Sequence, residues 1–413
     1  MTLKLSRRDV LRGITAGSLW GSKLLPAKAA AGPPGLAPQD PESEIQLPSI
    51  DAAQIANRVV GSLKPSKGEC AILVHDPTYY PKLARHIQTE LNRAGVAPIV
   101  ALTFDPPEIV RNLIDNPSEL KKHAEEAVAL LSPVFAQADI FLWLPGRELS
   151  PDLRWERLLG VSRARGIHFH WISPLAGRSL EEIHMLTRMY ERTILETDYA
   201  ALSKEQDRLI EMLRGHAVHV TAPDGTDLRM HVPRDAWFHK NDGDMSPDRA
   251  RKAKSVRDRE MEFPSGALRF IPDVASVEGT LVVSRVSTPG GVAEVTFEFE
   301  RGRAARWRAG RNEAAFRSHW ERIGGDIEKV GEMVIGTNPL LATPLPSGDL
   351  PYYGYGAGYL RVSLGDNWES GGTNRSPGGR PLWLFLERAS LQANGQFLIR
   401  HGLMINGVPI ASR

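Results

Sequence analysis

The side chains best suited to chemistry gather in the last quarter of the chain: Glu332, Arg361, Asp366, Asn367 and Glu369, with Trp368 and Trp383 beside them. Glu332 is the candidate catalytic group, and the position to hold a metal if any does. Arg361 offers N–H donors and no acceptor, so it repels a divalent ion from a low-dielectric pocket. Its planar fork instead suits both oxygens of a carboxylate. Asp366, Asn367, Trp368, Glu369 and Trp383 complete a candidate ligand-binding set with it. Asp366-Asn367 precedes Gly371-Gly372, and two readings stay open there. The short polar side chains either satisfy backbone groups in a tight turn or touch a ligand directly. Convergence of Glu332, Asp366, Glu369 and Glu387, joined by His319, His239 or His401, would make a relocated metal site.

Other polar motifs carry less. His239-Lys240-Asn241-Asp242-Gly243-Asp244 lacks the spacing of a twelve-residue calcium loop and is expected as a solvated loop. His216 and His219 lie near a strand entry on opposite faces, which argues against a shared metal. His75-Asp76 ends the first apolar run, where ligands often meet parallel sheets, although a loop histidine beside an aspartate is common. Gly-x-Ser-x-Gly is absent, and Ser376 before Pro377 reads as a turn residue. No G-x-G-x-x-G follows the first strand, so no dinucleotide is implied.

These residues need a scaffold, and the hydrophobic pattern describes one. After a Pro-, Gly- and acid-rich tether at 30–47, about 365 residues remain, which favours two domains. Glu69–Val74, Ala97–Leu102, Ala138–Leu144 and Ile167–Ile172 are short apolar runs separated by helical segments, including one around Tyr79 to Ala94. That alternation predicts an α/β domain with a mostly parallel sheet over 48–211. Ile183, Leu186, Tyr190 and Ile194 recur at helical spacing. Ser203-Lys204-Glu205-Gln206 fits a capping box for the next helix, and Gly215 a stop. Beyond it the period changes: Val295, Phe297 and Phe299 alternate with Thr296, Glu298 and Glu300. A β-rich α+β domain is expected over 212–413, with one helix near Asn312 to Gly324.

The amino terminus reads as an address. Ser6-Arg7-Arg8-Asp9-Val10-Leu11 precedes a weakly apolar stretch from Ile14 to Leu25, and Ala27-Lys28-Ala29 supplies small residues at alternating positions. The combination resembles a twin-arginine signal over 1–29, and predicts a periplasmic or extracellular protein without a membrane anchor after processing. Removing it takes six of 51 basic and one of 49 acidic residues, which leaves a net charge of −3. No arginine stripe is interleaved with base-stacking aromatics, so nucleic acid is not expected as a partner. Cys70 is the chain's one cysteine and cannot form an internal disulfide.

An ordered series of motifs carries a family resemblance over roughly residues 50–410. His219-Val220-Thr221 with Gly225-Thr226-Asp227-Leu228 resembles the entry to the second domain of the aminopeptidase T, or thermophilic metallo-aminopeptidase, family. Phe263–Pro272 with Gly279-Thr280-Leu281, then Val330-Gly331-Glu332 with Gly336–Pro339, resemble its next signatures. Leu364-Gly365-Asp366-Asn367, with Gly371-Gly372 and Ser376, is similar to a branch related to dihydroxypyridine ring-cleaving dioxygenases.

The resemblance implies an α/β domain joined to a metallo-aminopeptidase-like domain with a two-metal centre, or an iron site in the dioxygenase branch. It also implies a degenerate centre. Of the metal-binding positions, Glu332 is retained. Ala267, Arg361, Trp368, Trp383 and Phe385 fall where the family carries a glutamate, a histidine, a tyrosine and a terminal His-x-Asp pair. No inherited metal set is expected and no cofactor is favoured; zinc or iron would follow only from an enzyme with relocated ligands.

Three functions fit the sequence. The first is an exported protein that binds a small or peptide-like ligand, or a protein partner, in the former metal cleft. The second is an atypical hydrolase or ring-cleaving oxygenase, and the third a structural interface protein. A homodimer is in keeping with the family resemblance.

Overall fold

The placement of Glu332 and Arg361 follows from which face of a sheet each one occupies. The computed structural model describes residues 47–77, 79–103, 117–146, 155–171, 179–345, 350–377 and 380–407. The signal-like segment and most of the tether lie outside these. Among the described residues, no helix is long and apolar enough to cross a membrane.

The first layer is a five-stranded parallel sheet in the order β2-β1-β3-β4-β8. Its strands are β1 (Ala71–Val74), β2 (Ile99–Leu102), β3 (Ile140–Trp143), β4 (Arg165–Phe169) and β8 (Glu260–Phe263). β1 is buried throughout and β4 throughout, as expected for parallel strands covered on both faces. Cys70 is buried just before β1. The helices that serve this sheet are α1 (Ala52–Leu63), α2 (Pro81–Arg93), α3 (Pro117–Phe135) and α4 (Trp155–Gly160), followed by α5 (Leu180–Glu196) and α6 (Tyr199–Leu213). α1 begins where Asp51 accepts from the Gln54 amide and ends at Lys64 in the left-handed region. Ile183, Leu186, Tyr190 and Ile194 form the buried stripe of α5. β8 comes from beyond residue 211, so the parallel sheet is completed by the second half of the chain. Ser49–Arg413 forms one compact unit.

The start of α6 differs from the sequence expectation. Asp198 is the N-cap and accepts from the Ala201 amide at 3.0 Å. Ser203 is therefore inside the helix, where its hydroxyl meets Asp242 at 2.8 Å. Gln206 is buried and donates to Thr337 Oγ1 at 3.0 Å. The capping pattern was present one turn late; an aspartate upstream satisfied the free amides first.

The remaining strands build two antiparallel sheets. One has eight strands in the order β12-β11-β10-β6-β5-β16-β17-β18, the other five in the order β15-β14-β13-β9-β7. In the larger, β5 (Ala217–Thr221), β6 (Asp227–His231), β10 (Asp273–Thr288), β11 (Gly291–Glu300) and β12 (Arg303–Arg311) are joined by β16 (Ser390–Ala393), β17 (Gln396–Arg400) and β18 (Leu403–Met404). The smaller contains β7 (Phe238–Asn241), β9 (Ala267–Phe270), β13 (Val330–Gly336), β14 (Leu360–Gly365) and β15 (Pro381–Leu386). α7 (Pro247–Arg251) precedes β8, and α8 (Glu313–Ile323) lies between Asn312 and Gly324 as the pattern indicated. Phe297 of β11, Phe316 of α8, Met333 of β13 and Leu384 of β15 share one apolar core.

The five-stranded sheet has buried residues on both faces. Leu268, Phe270, Met333, Ile335, Leu360 and Val362 face the core shared with the larger sheet. Ala267 and Val334 belong to a second core, with Ile167 of β4 and Phe263 of β8. Strand alternation then puts Arg269, Glu332, Arg361, Ser363 and Trp383 on that second face. Arg269, Val334, Arg361 and Phe385 lie in one register row across β9, β13, β14 and β15.

Capping by Asp198 yields a direct test. Asp198→Ala is expected to lower unfolding free energy by about 1 kcal/mol, while Asp198→Asn stays near wild type. Urea denaturation followed by circular dichroism measures both; equal midpoints for wild type and Asp198→Ala would reject the cap.

Candidate functional site

Between β8 and the second face of the five-stranded sheet lies a buried lattice of four glutamates and three arginines. Glu260 and Glu262 alternate onto one face of β8. Arg257 comes from the turn just before β8, Arg269 from β9, Glu332 from β13 and Arg361 from β14. Glu369 comes from a single 3-10 turn, Trp368–Ser370. All seven are less than one-tenth exposed. Charges so placed demand close partners, because removal from water costs each of them several kcal/mol.

Arg269 is the central donor. Its Nη2 lies 3.1 Å from Glu262 Oε1 and its Nη1 lies 3.3 Å from Glu332 Oε1. The same Nη2 donates to the Tyr355 hydroxyl at 2.6 Å, and that hydroxyl donates to Glu262 Oε2. Arg257 Nη1 is 3.2 Å from Glu262 Oε1 and also bonds Glu260, while its Nη2 bonds Glu369. Glu332 receives a further bond from Ser370 Oγ at 3.3 Å, and its amide donates to Ser363 Oγ at 2.9 Å. Burial pushes the Glu262 carboxyl up, but Arg269 and the nearby histidines outweigh burial and hold it well below the usual range. Burial pulls Arg269 down; the Tyr355 and glutamate charges overcome this and leave it above its ordinary value.

Arg361 is held differently. Its guanidinium carbon stands 4.1 Å from the Trp383 ring centroid and 5.1 Å from that of Tyr355. Its Nε and Nη2 have no hydrogen-bond partner among the described residues, although the residue is 3% exposed. Burial lowers its pKa, and Arg269 adds to the effect. An aromatic cradle stabilises a cation, and the enclosed edge formed by Nε and Nη2 has no acceptor against it among the described residues.

Two histidines border the lattice. His168 on β4 and His170 just after it are two residues apart and so share a face. Their Nε2 atoms face each other at 2.5 Å. His168 Nδ1 is 3.1 Å from Glu260 Oε1, and His170 Nε2 is 3.6 Å from Glu262 Oε1. The ligand atoms of His168, His170 and Glu262 all fall within 4.8 Å of one another, close enough to hold one metal ion. Burial, followed by the charge of His170, keeps His168 well below the usual imidazole value.

The sequence-selected residues divide into two groups. Glu332, Arg361, Glu369 and Trp383 come together at the lattice. Asp366 and Asn367 bond the loop around them: Asp366 accepts from the Trp368 and Ser376 amides at 3.2 and 2.9 Å. Asn367 accepts from the Asn374 amide at 3.0 Å and donates to the Gly331 carbonyl at 3.2 Å. The Trp368 ring lies against Gly160 of α4. Glu387 meets Ser284 in an exposed contact, and the His401 amide is bonded to Ser390. His239 is on β7, in register with Arg269.

The 239–244 segment also departs from expectation. His239, Asn241 and Asp242 are buried rather than solvated. β7 continues through Asn241, and Arg249 neutralises Asp242 at 2.6 Å.

Sequence reasoning missed Arg257, Glu260, Glu262, Arg269, Tyr355, His168 and His170 as site residues. The usable signal was spacing: His-x-His and Glu-x-Glu each put two polar groups on one face of a strand. β4 and β8 then pair with His168 opposite Glu262.

No family model matches the chain, and no curated protein does. Solved structures do. The 2,5-dihydroxypyridine dioxygenase of Pseudomonas putida KT2440 is 16% identical, with a TM-score of 0.56, over 89% of this chain and 99% of that one. AmpT from Thermus thermophilus is 18% identical, also with a TM-score of 0.56, over 86% and 98% respectively. These likenesses establish a distant structural relationship extending over nearly the whole of both neighbours.

Two outcomes test the lattice. Glu262→Ala, which leaves Arg257 and Arg269 short of an acceptor, is expected to cost about 3–5 kcal/mol in urea unfolding; a loss under about 1 kcal/mol would mean the lattice is not the main electrostatic tie. The second concerns His239, which burial, then Arg249, Arg269 and Arg257, hold well below the usual imidazole value. The folded chain keeps it neutral, whereas the unfolded chain protonates it near pH 6.5. Its contribution is complete above that pH and declines as pH falls. Unfolding free energies at pH 7.5 and 5.5 should therefore differ more in wild type than in His239→Gln; equal differences would remove His239 as a cause.

Proposed function

We propose that this chain binds a small or peptide-like molecule bearing a carboxylate, through Arg361, on a fold distantly related to AmpT and a dihydroxypyridine dioxygenase. One observation carries the reading: a buried guanidinium whose Nε and Nη2 lack partners among the described residues. An unpaired buried cation is costly, and a carboxylate accepting from both nitrogens would offset that cost with two parallel charge-assisted bonds. Trp383 and Tyr355 fix the plane of the guanidinium from its ring contacts, so the ligand would meet a preorganised fork.

The reading includes the replaced metal positions. Ala267 has no donor atom, and Arg361 places fixed positive charge on the same sheet face. It also includes export before ligand capture: the Ser6-Arg7-Arg8 signal pattern supports delivery of a folded protein to the periplasm or beyond. A second copy of the chain or another protein could join it there.

A second reading, a metal-dependent hydrolase or ring-cleaving oxygenase with relocated ligands, has one observation in its favour. Glu260, Glu262, Glu332 and Glu369 converge as such a site requires. Each of the four is already paired with Arg257 or Arg269, which stand where an ion shared by the carboxylates would have to enter. The carboxylate-binding reading therefore takes precedence.

Isothermal titration with benzoate and with leucyl-glycine, each against its amide, tests the proposal. Binding is expected for at least one acid and not its amide, and Arg361→Gln should weaken it at least about ten-fold, or about 1.4 kcal/mol. Equal affinity for acid and amide, no binding of either acid, or undiminished binding by Arg361→Gln would overturn the reading.

A further inference from the structure

The histidine pair beside the lattice has the composition of a metal site that is separate from the Glu332 position. His168 and His170 occupy one face of β4 and its extension; Glu260 and Glu262 occupy one face of the adjacent parallel strand β8. The register pairs His168 with Glu262 and Gly166 with Glu260. Two imidazoles and two carboxylates are thus set together by strand alternation alone. His168, His170 and Glu262 lie toward the carboxyl ends of their parallel strands, where α/β sheets commonly meet ligands.

We infer that His168 Nε2, His170 Nε2 and the Glu262 carboxylate form a binding site for a borderline divalent transition ion, with zinc the best match. The three candidate ligand atoms lie within 4.8 Å of one another. In a tetrahedral zinc site, bonds near 2.0–2.1 Å place ligand atoms about 3.3 Å apart. The His170–Glu262 separation of 3.6 Å is already close to this. The two Nε2 atoms, at 2.5 Å, need to part by about 0.8 Å to reach the same spacing, a movement within the reach of small side-chain rotations.

Glu260 places a second carboxylate beside the site. Its Oε1 is 3.1 Å from His168 Nδ1, on the far side of the ring from the proposed ion. A carboxylate charge at that distance favours hydrogen on Nδ1 and the lone pair on Nε2, although the two atoms are not aligned as the hydrogen bond that backs many zinc-bound histidines. Two nitrogens and one oxygen favour zinc over calcium or magnesium, which take oxygen donors. Three protein ligands leave a fourth coordination position for water or another small donor. His170 is 32% exposed at its side chain and gives the site access to solvent. Arg257 and Arg269 compete for Glu262, which sets the affinity below that of a closed structural zinc site.

Arg361 is not a ligand of this site and lies on a different sheet; Tyr355, which bonds Glu262 and faces Arg361, joins the two, and their tests use different readouts. The full-length chain, freed of metal by chelator and dialysis, should be titrated with cobalt(II) and zinc(II). Cobalt is expected to bind at about one ion per chain with the visible bands of a low-coordinate nitrogen–oxygen site, and zinc to displace it. His170→Ala, the variant that disturbs the core least, should weaken binding at least about ten-fold, and Glu262→Gln should weaken it likewise. His219→Ala, which removes a half-buried histidine beside Asp227 in another sheet, should bind as wild type does.

Circular dichroism establishes that each variant is folded before its titration is read. Absence of stoichiometric binding by the wild type would overturn the inference. Binding unchanged in folded His170→Ala would do the same, as would binding abolished by Glu332→Gln but retained by His170→Ala. The last result would assign the ion to the Glu332 position. None of these results depends on whether benzoate or leucyl-glycine binds Arg361.

Discussion

Arg269 is the residue on which the arrangement of layers depends. It rises from β9 of the five-stranded sheet and bonds Glu262 on the edge strand of the parallel sheet, while its other nitrogen holds Glu332 within its own sheet. Neither carboxylate could be buried so deeply without it, and the guanidinium could not be buried without them. Arg257 repeats the device from the other side, joining Glu260 and Glu262 of β8 to Glu369 in the turn after β14. The contacts therefore constrain position as well as charge. A guanidinium has a fixed plane and directed donors, so a small sliding of either sheet would break several bonds together.

The two faces of the five-stranded sheet show how one stretch of sequence serves two ends. Leu360, Val362 and Leu364 of β14 enter the core of the antiparallel layers, while Arg361 and Ser363 alternate into the lattice. The apolar face stabilises the fold by excluding water. The polar face is confined by that same burial, and the low dielectric around it strengthens each paired interaction and penalises each unpaired one. Arg361 differs from Arg257 and Arg269 in this respect. It rests on aromatic faces, with two of its nitrogens left without partners among the described residues.

Much of the scaffold could be read in the pattern of the chain. The apolar runs at 69–74, 97–102, 138–144 and 167–172 mark the first four parallel strands, and the Phe297 alternation marks a half-buried antiparallel one. The fifth parallel strand was not legible as such: Glu260-Met261-Glu262-Phe263 carries two charges, and only the lattice makes their burial tolerable. The 239–244 segment misleads for the same reason, because Arg249 allows polar residues to sit where sequence polarity suggests solvent. Ser203-Lys204-Glu205-Gln206 carries the fuller capping-box signature, yet Asp198 is the cap, because an N-cap is decided by which residue first leaves the helical conformation.

Sequence by itself determined the local periods, the break between helix-rich and strand-rich halves, and the chemical capacity of each side chain. It could establish that Arg361 donates without accepting and that Glu332 can bear charge, because those properties belong to the functional groups. Tertiary structure decided which groups meet. His168 and Glu262 are far apart in the chain and adjacent in register, and Arg269 chooses between solvent and Glu332 only when three layers close around it. Such contacts depend on strand order, sheet face and exclusion of water, and none of these is encoded within a single local segment.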